Sequence, residues 1–274
     1  MNSIVYDKVR YRTVLTIAGS DGSGGAGIQA DLKTIAALAC YGTSVITSVT
    51  AQNTVEVVNS YSLPASSIRE QLKAILDDIT VDAVKIGMLG SVGAIREVAG
   101  LLQKIEAPVV LDTVLRSSSG RDLLDPEALP VMIGELFPIA ALITPNIMES
   151  AMLAGKQNCP VTREEIESAA LMLRRLGARS VLLKGGHMEG NECSDCLLHL
   201  ERFQWFSTKK IGSVNTHGTG CTLSSAIAAF LALGMSMESA VEKAKNYTFE
   251  AIKAGAAYRL GTGHGPLHHF YRCW

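Results

Sequence analysis

The fold is decided close to the N-terminus by residues 13–27, which read Thr13-Val14-Leu15-Thr16-Ile17-Ala18-Gly19-Ser20-Asp21-Gly22-Ser23-Gly24-Gly25-Ala26-Gly27. Residues 13–18 form an apolar, β-branched run, which predicts a buried strand. A glycine-rich turn follows, and residues 26–39 have the periodicity of a helix. A buried strand that feeds a helix through a short turn is the beginning of a β-α-β fold.

The same alternation continues along the chain. Further strands are predicted over residues 44–51, 55–63, 83–88, 108–112, 142–144 and 180–184, a hairpin over 196–200 and 203–209, and helices over 93–105, 126–137, 163–176, 220–233 and 236–254. Pro64 opens another helix, in which Ser67 and Glu70 have capping-box spacing. This order predicts an α/β fold of three layers, α-β-α, with a mostly parallel central sheet and helices on both faces.

A single domain is predicted for the whole chain. No segment rich in proline, serine or glycine divides residues 1–274, so we expect one domain, with residues 1–12 as an N-terminal extension. In a sheet of this kind ligands bind beyond the carboxyl ends of the strands. The residues that follow each strand are therefore the first candidates for chemistry.

The composition excludes several classes of protein. With 25 basic and 26 acidic residues the net charge is −1, and aromatic residues make up only 5% of the chain, so we expect no nucleic-acid partner. The longest apolar runs are shorter than the ~20 residues that cross a bilayer. The N-terminus has no apolar signal segment. We therefore expect a soluble, cytoplasmic protein that binds no membrane.

Four potential zinc ligands lie close together in the sequence: His187, Cys193, Cys196 and His199. Residues 191–195 have the composition of a polar turn, and the strand predicted after them would point Cys196 and His199 to opposite faces. A hairpin tip is therefore favoured over a structural zinc site.

Residues 22–27 match the pattern G-x-G-x-x-G between a strand and a helix, which is typical of dinucleotide-binding loops. Such a site also needs an acidic residue at the end of the second strand, where this chain has Ala51-Gln52-Asn53-Thr54. The P-loop pattern fails because Gly155-Lys156 is followed by Gln157. A non-catalytic dinucleotide- or pyrimidine-binding protein stays as the less favoured alternative.

Asp31 and Gln52 suggest a different ligand. A carboxylate on the first turns of a helix and an amide at the next strand end offer paired hydrogen bonds to an amino-substituted heterocycle. The alternative is structural, with Asp31 stabilising the helix start and Gln52 satisfying a turn. The residues alone leave both interpretations open.

The run Asn215-Thr216-His217-Gly218-Thr219-Gly220-Cys221-Thr222 precedes a helix of small residues. Gly218 and Gly220 leave backbone N–H groups uncovered beside the positive end of the helix dipole, which predicts an anion hole for a transferring phosphoryl group. We expect the helix start to lower the thiol pKa of Cys221, which would then take a proton from the attacking hydroxyl. The alternative is a small residue packed at a helix start.

Other strand ends carry groups suited to metal and phosphate. Asp112 ends a strand, and Asn146 and Glu149 lie three residues apart at a helix start. Lys184 ends another strand, just before a pair of glycines. Oxygen ligands suit Mg²⁺, and the lysine suits nucleotide phosphates. The structural alternatives are an N-cap for Asn146, a capping-box partner for Glu149 and a surface role for Lys184.

On these motifs the chain resembles the ribokinase superfamily, and within it the hydroxymethylpyrimidine/phosphomethylpyrimidine kinases of thiamine biosynthesis, from about residue 13 to residue 270. The specific segment is His217-Gly218-Thr219-Gly220-Cys221, and most members of the superfamily have aspartate at the position of Cys221. Other matching segments include Ser23-Gly24-Gly25-Ala26-Gly27, Ala51-Gln52-Asn53, Lys85-Ile86-Gly87-Met88-Leu89, Lys184-Gly185-Gly186-His187 and Gly263-His264-Gly265-Pro266.

The resemblance implies a ribokinase-like, ATP-dependent kinase that uses Mg²⁺ and phosphorylates 4-amino-5-hydroxymethyl-2-methylpyrimidine and then its monophosphate. By position it implies substrate contacts at Gly19, Asp31, Gln52, Met88 and Val114. It implies nucleotide contacts at Lys184, Asn146 and Glu149, a magnesium site at Asp112, Asn146 and Glu149, and a catalytic loop of Gly218, Thr219, Gly220 and Cys221.

The chain departs from the family pattern beside the implied substrate pocket. Thr113 stands where proline is usual, Leu115 where methionine is common, and Arg116-Ser117-Ser118 differs from the usual loop. A pyridoxal kinase stays open as an alternative, because pyridoxal also carries a hydroxymethyl group on a six-membered nitrogen ring. The sequence leaves open whether the protein is a homodimer.

Overall fold

The computed structural model describes residues 9–116, 120–186 and 191–274. Their strands are β1 (Thr13–Asp21), β2 (Tyr41–Gln52), β3 (Val57–Ser62), β4 (Ala83–Ile86), β5 (Val109–Leu111), β6 (Leu142–Ile143), β7 (Val181–Leu183), β8 (Glu192–His199) and β9 (Arg202–Lys209). Their helices are α1 (Gly27–Ala37), α2 (Ala65–Leu76), α3 (Val92–Leu102), α4 (Ala128–Glu135), α5 (Ile147–Leu153), α6 (Arg163–Arg175), α7 (Thr219–Ala232) and α8 (Met237–Gly255).

These strands form one sheet in the order β3-β2-β1-β4-β5-β6-β7-β8-β9. The pairs from β2 to β7 are parallel, and the antiparallel pairs involve β3, β8 and β9 at the two edges. Every residue of β4 and β5 is buried, as expected for central strands that are covered on both faces. The predicted mostly parallel sheet is confirmed.

Two apolar clusters cover the two faces of the sheet. On one face, Ile17 of β1 belongs to a cluster with Ile95 of α3 and with residues of α2, α4, α5 and α6. On the other, Val14 of β1 belongs to a cluster with Ile227 of α7, Val241 of α8 and residues of α1. The side chains of a strand alternate between its faces, so one strand serves both clusters. The three-layer α-β-α arrangement is therefore confirmed.

The register between β1 and β2 shifts near the carboxyl end of β1. Ala18 pairs with Ile46, but Ser20 pairs with Val49, so β2 carries one extra residue opposite Gly19. Bulges of this kind re-aim side chains beside binding sites. Here the bulge lies at the sheet edge where ligands bind in parallel α/β folds.

The capping box predicted for α2 is wrong. The helix begins at Ala65 behind Pro64, and no side chain caps it. Ser67 therefore lies inside the first turn, where its spacing from Glu70 has no capping role. Proline before a helix start fixes the entry of the chain without help from a side chain.

The polar turn predicted for residues 191–195 is also wrong, because β8 already begins at Glu192. The hairpin turns instead at Leu200 and Glu201, which both have positive φ. The polar residues of β8 have partners that the sequence does not show. Asp195, for example, is buried and accepts a 2.7 Å hydrogen bond from Lys245 Nζ on α8.

The two cysteines of β8, Cys193 and Cys196, lie on opposite faces of the strand. Cys196 is fully buried in the core, whereas Cys193 faces α8, with its sulfur 3.6 Å from Lys245 Nζ. His187 lies outside the described residues. None of the helices that the structure describes has the length and apolar character needed to span a membrane.

Candidate active site

Asp112 and Lys184 lie side by side at the carboxyl ends of β5 and β7. Lys184 Nζ donates a 2.8 Å hydrogen bond to Asp112 Oδ1, and Thr144 Oγ1 donates another at 2.9 Å. Burial acts to raise the pKa of Asp112, but the ammonium groups of Lys184 and Lys85 outweigh it and hold that pKa below its usual value. The carboxylate is thus ionised, although only 2% of Asp112 is exposed.

The start of α7 meets this pair directly. Gly218 is the N-cap residue, its φ of 82° is left-handed, and no side chain caps the helix. A Cβ on Gly220 would stand 3.3 Å from Lys184 Nζ and 3.5 Å from Asp112 Oδ2. Thr219 turns its hydroxyl away, to the carbonyl of Thr216 at 2.7 Å. The amides that begin α7 therefore lie beside an ammonium group and a carboxylate, as the strand-end argument predicted.

Cys221 differs from its sequence-based interpretation. Burial raises the pKa of its thiol most, and the carboxylates of Asp31 and Asp112 raise it further. Lys85 and the backbone N–H of Gly27 lower it, but the result is a pKa of about 11. The prediction that the helix start would lower the thiol pKa is wrong, because a partial charge at a helix end is weaker than burial beside two carboxylates. The thiol is protonated at neutral pH.

Asn146 and Glu149 form a capping box at the start of α5. Asn146 Oδ1 accepts the backbone N–H of Glu149 at 2.8 Å, and Glu149 Oε2 accepts the backbone N–H of Asn146 at 2.8 Å. The structural alternative thus accounts for the side chain of Asn146. Burial raises the pKa of Glu149 and nearby Asp112 adds to the rise, while Lys184 opposes it. Glu149 and Asp112 are therefore two buried acids that act on each other.

The glycine-rich loop after β1 encloses a carboxylate of the protein itself. Asp21 accepts hydrogen bonds from the backbone N–H groups of Ser23, Gly25 and Ala26 at 2.9, 3.2 and 2.8 Å, and from His217 Nε2 at 2.8 Å. Burial acts to raise its pKa, but these donors lower it to about 2. The amides that a dinucleotide pyrophosphate would need are thus already used.

The two glycine-rich loops pack against each other. A Cβ on Gly25 would stand 2.3 Å from the ring of His217, and a Cβ on Gly218 would stand 1.8 Å from the carbonyl oxygen of Gly25. Both positions therefore require glycine. The carboxylate of Asp21 also connects the two loops. It accepts hydrogen bonds from backbone amides of residues 23–26 in the first loop and from the ring of His217 in the second.

Asp31 lies in a closed buried network. Its carboxylate accepts hydrogen bonds from Thr16 Oγ1 at 2.6 Å, Ser225 Oγ at 2.7 Å and Lys85 Nζ at 2.8 Å, and neither Asp31 nor Lys85 is exposed. Burial acts to lower the pKa of Lys85, but Asp31, Cys221 and Asp112 outweigh it and raise that pKa above its usual value.

Sequence reasoning missed the partner of Asp31. The available signal was a lysine inside the apolar strand β4, since a buried ammonium group requires an anion.

Gln52 belongs to a different group of side chains. Its Nε2 lies 3.2 Å from His217 Nε2, and its Oε1 accepts a hydrogen bond from Thr50 Oγ1 at 3.2 Å. Gln52 and Asp31 share no hydrogen-bond partner among the contacts of the described residues, so their joint contact with a heterocycle stays a prediction.

The remaining substrate candidates lie at strand ends. A Cβ on Gly19 would stand 2.5 Å from Met88 Cε, so these two residues are direct neighbours. Val114 follows Asp112 closely, and its N–H donates to the Asp112 carbonyl at 2.8 Å. These positions share the sheet edge that carries Asp112 and Lys184.

Comparisons with known proteins point to kinases. The family model described as phosphomethylpyrimidine kinase matches residues 21–268. A hydroxymethylpyrimidine/phosphomethylpyrimidine kinase from Rhizobium meliloti is 44% identical over 262 residues, which cover 95% of this chain and 97% of that protein. The crystal structure of a phosphomethylpyrimidine kinase from Clostridium difficile has a TM-score of 0.77 at 42% identity and covers 88% of this chain and 99% of its own. A Staphylococcus aureus pyridoxal kinase in complex with ADP has a TM-score of 0.88 at 32% identity, with 97% and 96% covered.

Proposed function

The chain belongs to the phosphomethylpyrimidine kinase family, and from that membership we propose that it transfers the γ-phosphoryl group of ATP to 4-amino-5-hydroxymethyl-2-methylpyrimidine and then to its monophosphate. Both products are intermediates of thiamine biosynthesis, the process for which a further relative is named. The reaction is a phosphotransferase reaction on a small heterocycle, and we assign it to the whole chain as one kinase domain.

The proposal rests on one observation, which is the position of Lys184 Nζ. It lies 2.8 Å from Asp112 Oδ1 and 3.3 Å from the point where a Cβ on Gly220 would stand, at the start of α7 that no side chain caps. Amides at a helix start attract phosphate oxygens, and the ammonium group neutralises the charge that they carry. Phosphoryl transfer needs positioning and neutralisation more than covalent chemistry from the protein. This corner of the sheet supplies both.

The pyrimidine ring is assigned to the neighbouring strand ends, where Gly19, Met88, Gln52 and Val114 lie. An aminopyrimidine has a ring-nitrogen acceptor beside an amino donor, which matches the acceptor and donor of the Gln52 amide. Asp31 contributes from beneath the pocket, because its carboxylate is fully buried and holds Lys85 in place. Its role in the proposal is therefore to position Lys85 and not to grip the ring.

The residues fit a magnesium ion that is held jointly with nucleotide phosphates. Mg²⁺ usually binds one or two protein carboxylates and completes its shell with phosphates and water. Asp112 and Glu149 offer two. Burial raises the pKa of Glu149 most, and the charge of Asp112 adds to the rise through a repulsion that a divalent cation would relieve. The side-chain oxygen of Asn146 accepts the backbone N–H of Glu149 as the cap of α5, so the proposal ranks it after the two carboxylates. When bound, the ion would neutralise charge on the transferring group.

A product assay tests the proposal. Purified protein would be incubated with ATP and Mg²⁺ and with either the aminopyrimidine, its monophosphate or pyridoxal, and the products would be identified by mass spectrometry. We expect the mono- and diphosphate of the pyrimidine. The control is Lys184→Met, for which we expect a loss of turnover of about 10²-fold or more. ADP formation without a phosphorylated pyrimidine would contradict the proposal.

Pyridoxal phosphorylation is the second candidate function. The similarity to the S. aureus pyridoxal kinase, with its TM-score of 0.88, favours it specifically. The identity of 32% to that enzyme is lower than the 44% to the pyrimidine kinase of R. meliloti, so we place it second. A kcat/KM for pyridoxal above that for the aminopyrimidine would reverse the order.

A further inference from the structure

Ser48 on β2 carries a buried hydroxyl group that the fold leaves unused. The residue is 2% exposed, and its Oγ has no hydrogen-bond partner among the described residues. A buried hydroxyl without a partner destabilises the folded state, and such groups are rare in native proteins. An unused donor of this kind calls for a functional explanation.

The position of Ser48 links it to the substrate pocket. The bulge opposite Gly19 interrupts the alternation of β2, so that Thr47 and Ser48 are both buried although they are consecutive. A Cβ on Gly19 would stand 2.8 Å from Ser48 Oγ. Any side chain at position 19 would thus fill the space beside the hydroxyl.

The side chain of Met88 covers the same space. Its Cε would lie 2.5 Å from a Cβ on Gly19, so it is close to the same point as Ser48 Oγ. The backbone of Met88 is fixed, because Thr47 Oγ1 donates a 2.6 Å hydrogen bond to its carbonyl oxygen. Its unbranched side chain has three rotatable bonds and can change rotamer without moving the strand end.

We propose that Ser48 Oγ is a substrate-binding group that donates a hydrogen bond to the second pyrimidine ring nitrogen, the one not beside the amino group assigned to Gln52, when Met88 moves aside. This inference rests on the proposed function and adds a specificity-determining residue to it. The hydroxyl selects a heterocycle that presents an acceptor at the Gly19 side of the pocket. It is left unpaired in the free protein and becomes paired on binding, so its contribution is to affinity for the ring and not to the transfer step.

The test compares Ser48→Ala with Thr43→Val. Thr43 Oγ1 is also buried without a partner, but it lies near the amino end of β2, away from the bulge. For Ser48→Ala we expect the KM of the aminopyrimidine to rise about fivefold, the size of one neutral hydrogen bond, with kcat and the KM of ATP unchanged. For Thr43→Val we expect all three constants to stay at parent values. The melting temperature should stay equal or rise in both variants, since each loses an unpaired buried group.

The possible results separate the inference from the function on which it rests. An unchanged KM in Ser48→Ala, in a parent that phosphorylates the aminopyrimidine, would overturn the role of Ser48 alone. A lower melting temperature in Ser48→Ala would also overturn it, because it would show that the hydroxyl stabilises the free protein. A parent that phosphorylates no pyrimidine would overturn the proposed function and this inference together.

Discussion

Two glycine-rich loops of this chain precede helices and contact each other, yet they differ in what their amides bind. In the loop of residues 22–27, the amides of Ser23, Gly25 and Ala26 donate to the carboxylate of Asp21. In the loop of residues 216–221, no side chain caps the helix that follows. The first loop is filled by an anion of the protein, and the second is the one that the proposed function assigns to a bound phosphate.

The difference shows that a glycine pattern alone does not identify a phosphate site. Both loops offer amides beside a helix start, which is all that the pattern describes. The deciding residue is the carboxylate that comes before the first loop, Asp21, because a carboxylate and a phosphate compete for the same donors. The charged side chain beside the second loop is that of Lys184. It is a cation, so it favours a bound phosphate instead of competing with it.

The largest expected effect sets Gly220→Ala against Gly22→Ala. A methyl group on Gly220 would stand 3.3 Å from Lys184 Nζ, in the space assigned to phosphoryl oxygens, whereas one on Gly22 has its nearest neighbour at 3.9 Å. We expect kcat/KM to fall about 10²–10³-fold in Gly220→Ala, the cost of losing one anion-hole interaction. In Gly22→Ala it should stay within about twofold. Steady-state kinetics of both variants measure the contrast.

The melting temperature controls for folding in this pair. Alanine favours a helix over glycine, so Gly220→Ala should be at least as stable as the parent. Equal losses of activity in the two variants, or a loss in Gly22→Ala alone, would break the distinction between the loops.

The next effect concerns the carboxylate that fills the first loop. The pKa of Asp21 is about 2, below its ordinary value, so the ionised group stabilises the fold above about pH 4 and that stability is lost as the pH falls toward 2. We expect Asp21→Asn to lower the free energy of unfolding by about 2 kcal/mol at neutral pH. Urea titrations at several pH values measure the difference between variant and parent.

The pH dependence distinguishes a charge effect from a change of shape. Asparagine keeps the shape of the side chain, so the stability gap between Asp21→Asn and the parent should close as the pH falls from about 4 to about 2. A gap of constant size across that range would show that the ionisation of Asp21 does not stabilise the loop.

Sequence reasoning predicted that residues at distant strand ends would converge, because topology determines it. The carboxyl ends of parallel strands meet at one edge, so Asp112 and Lys184 could be expected together although 72 residues separate them. The glycine pattern likewise placed the amides of α7 in that region. These predictions needed only strand order, which periodicity supplies.

The contacts that sequence reasoning missed depend on pairing between distant side chains. Nothing in the sequence links Asp21 to His217, which are 196 residues apart, or Lys85 to Asp31. The wrong turn prediction at the start of β8 has the same cause. Asp195 has the composition of a turn residue, and its partner Lys245 lies 50 residues away in the chain. Secondary-structure propensity depends on residues that are close in the chain. Whether a charged side chain can be buried depends on a partner that can lie anywhere in the sequence.

The smallest expected effect concerns Cys221, which lies where the two loops meet. The N–H of Gly27, from the first loop, donates to its sulfur, and the pKa of about 11 keeps the thiol protonated. A protonated thiol cannot accept the proton of the attacking hydroxyl, and a loose phosphoryl-transfer transition state has little need of a base before the bond to the leaving group has weakened. We therefore expect Cys221→Ser and Cys221→Ala to lower kcat by about tenfold or less, the effect of a changed contact and not of a lost base.

A pH profile decides between the two roles of Cys221. If the thiol only packs between the loops, kcat of the parent is flat from about pH 7 to about pH 9, and the profile of Cys221→Ser runs parallel to it. If the thiolate were the base, kcat of the parent would rise about tenfold per pH unit toward the pKa of the thiol. The kcat of both variants would then be about 10²–10⁴-fold lower than that of the parent and would not rise with pH. The flat profile would mean that the second loop works through its backbone amides, which are what distinguishes it from the first.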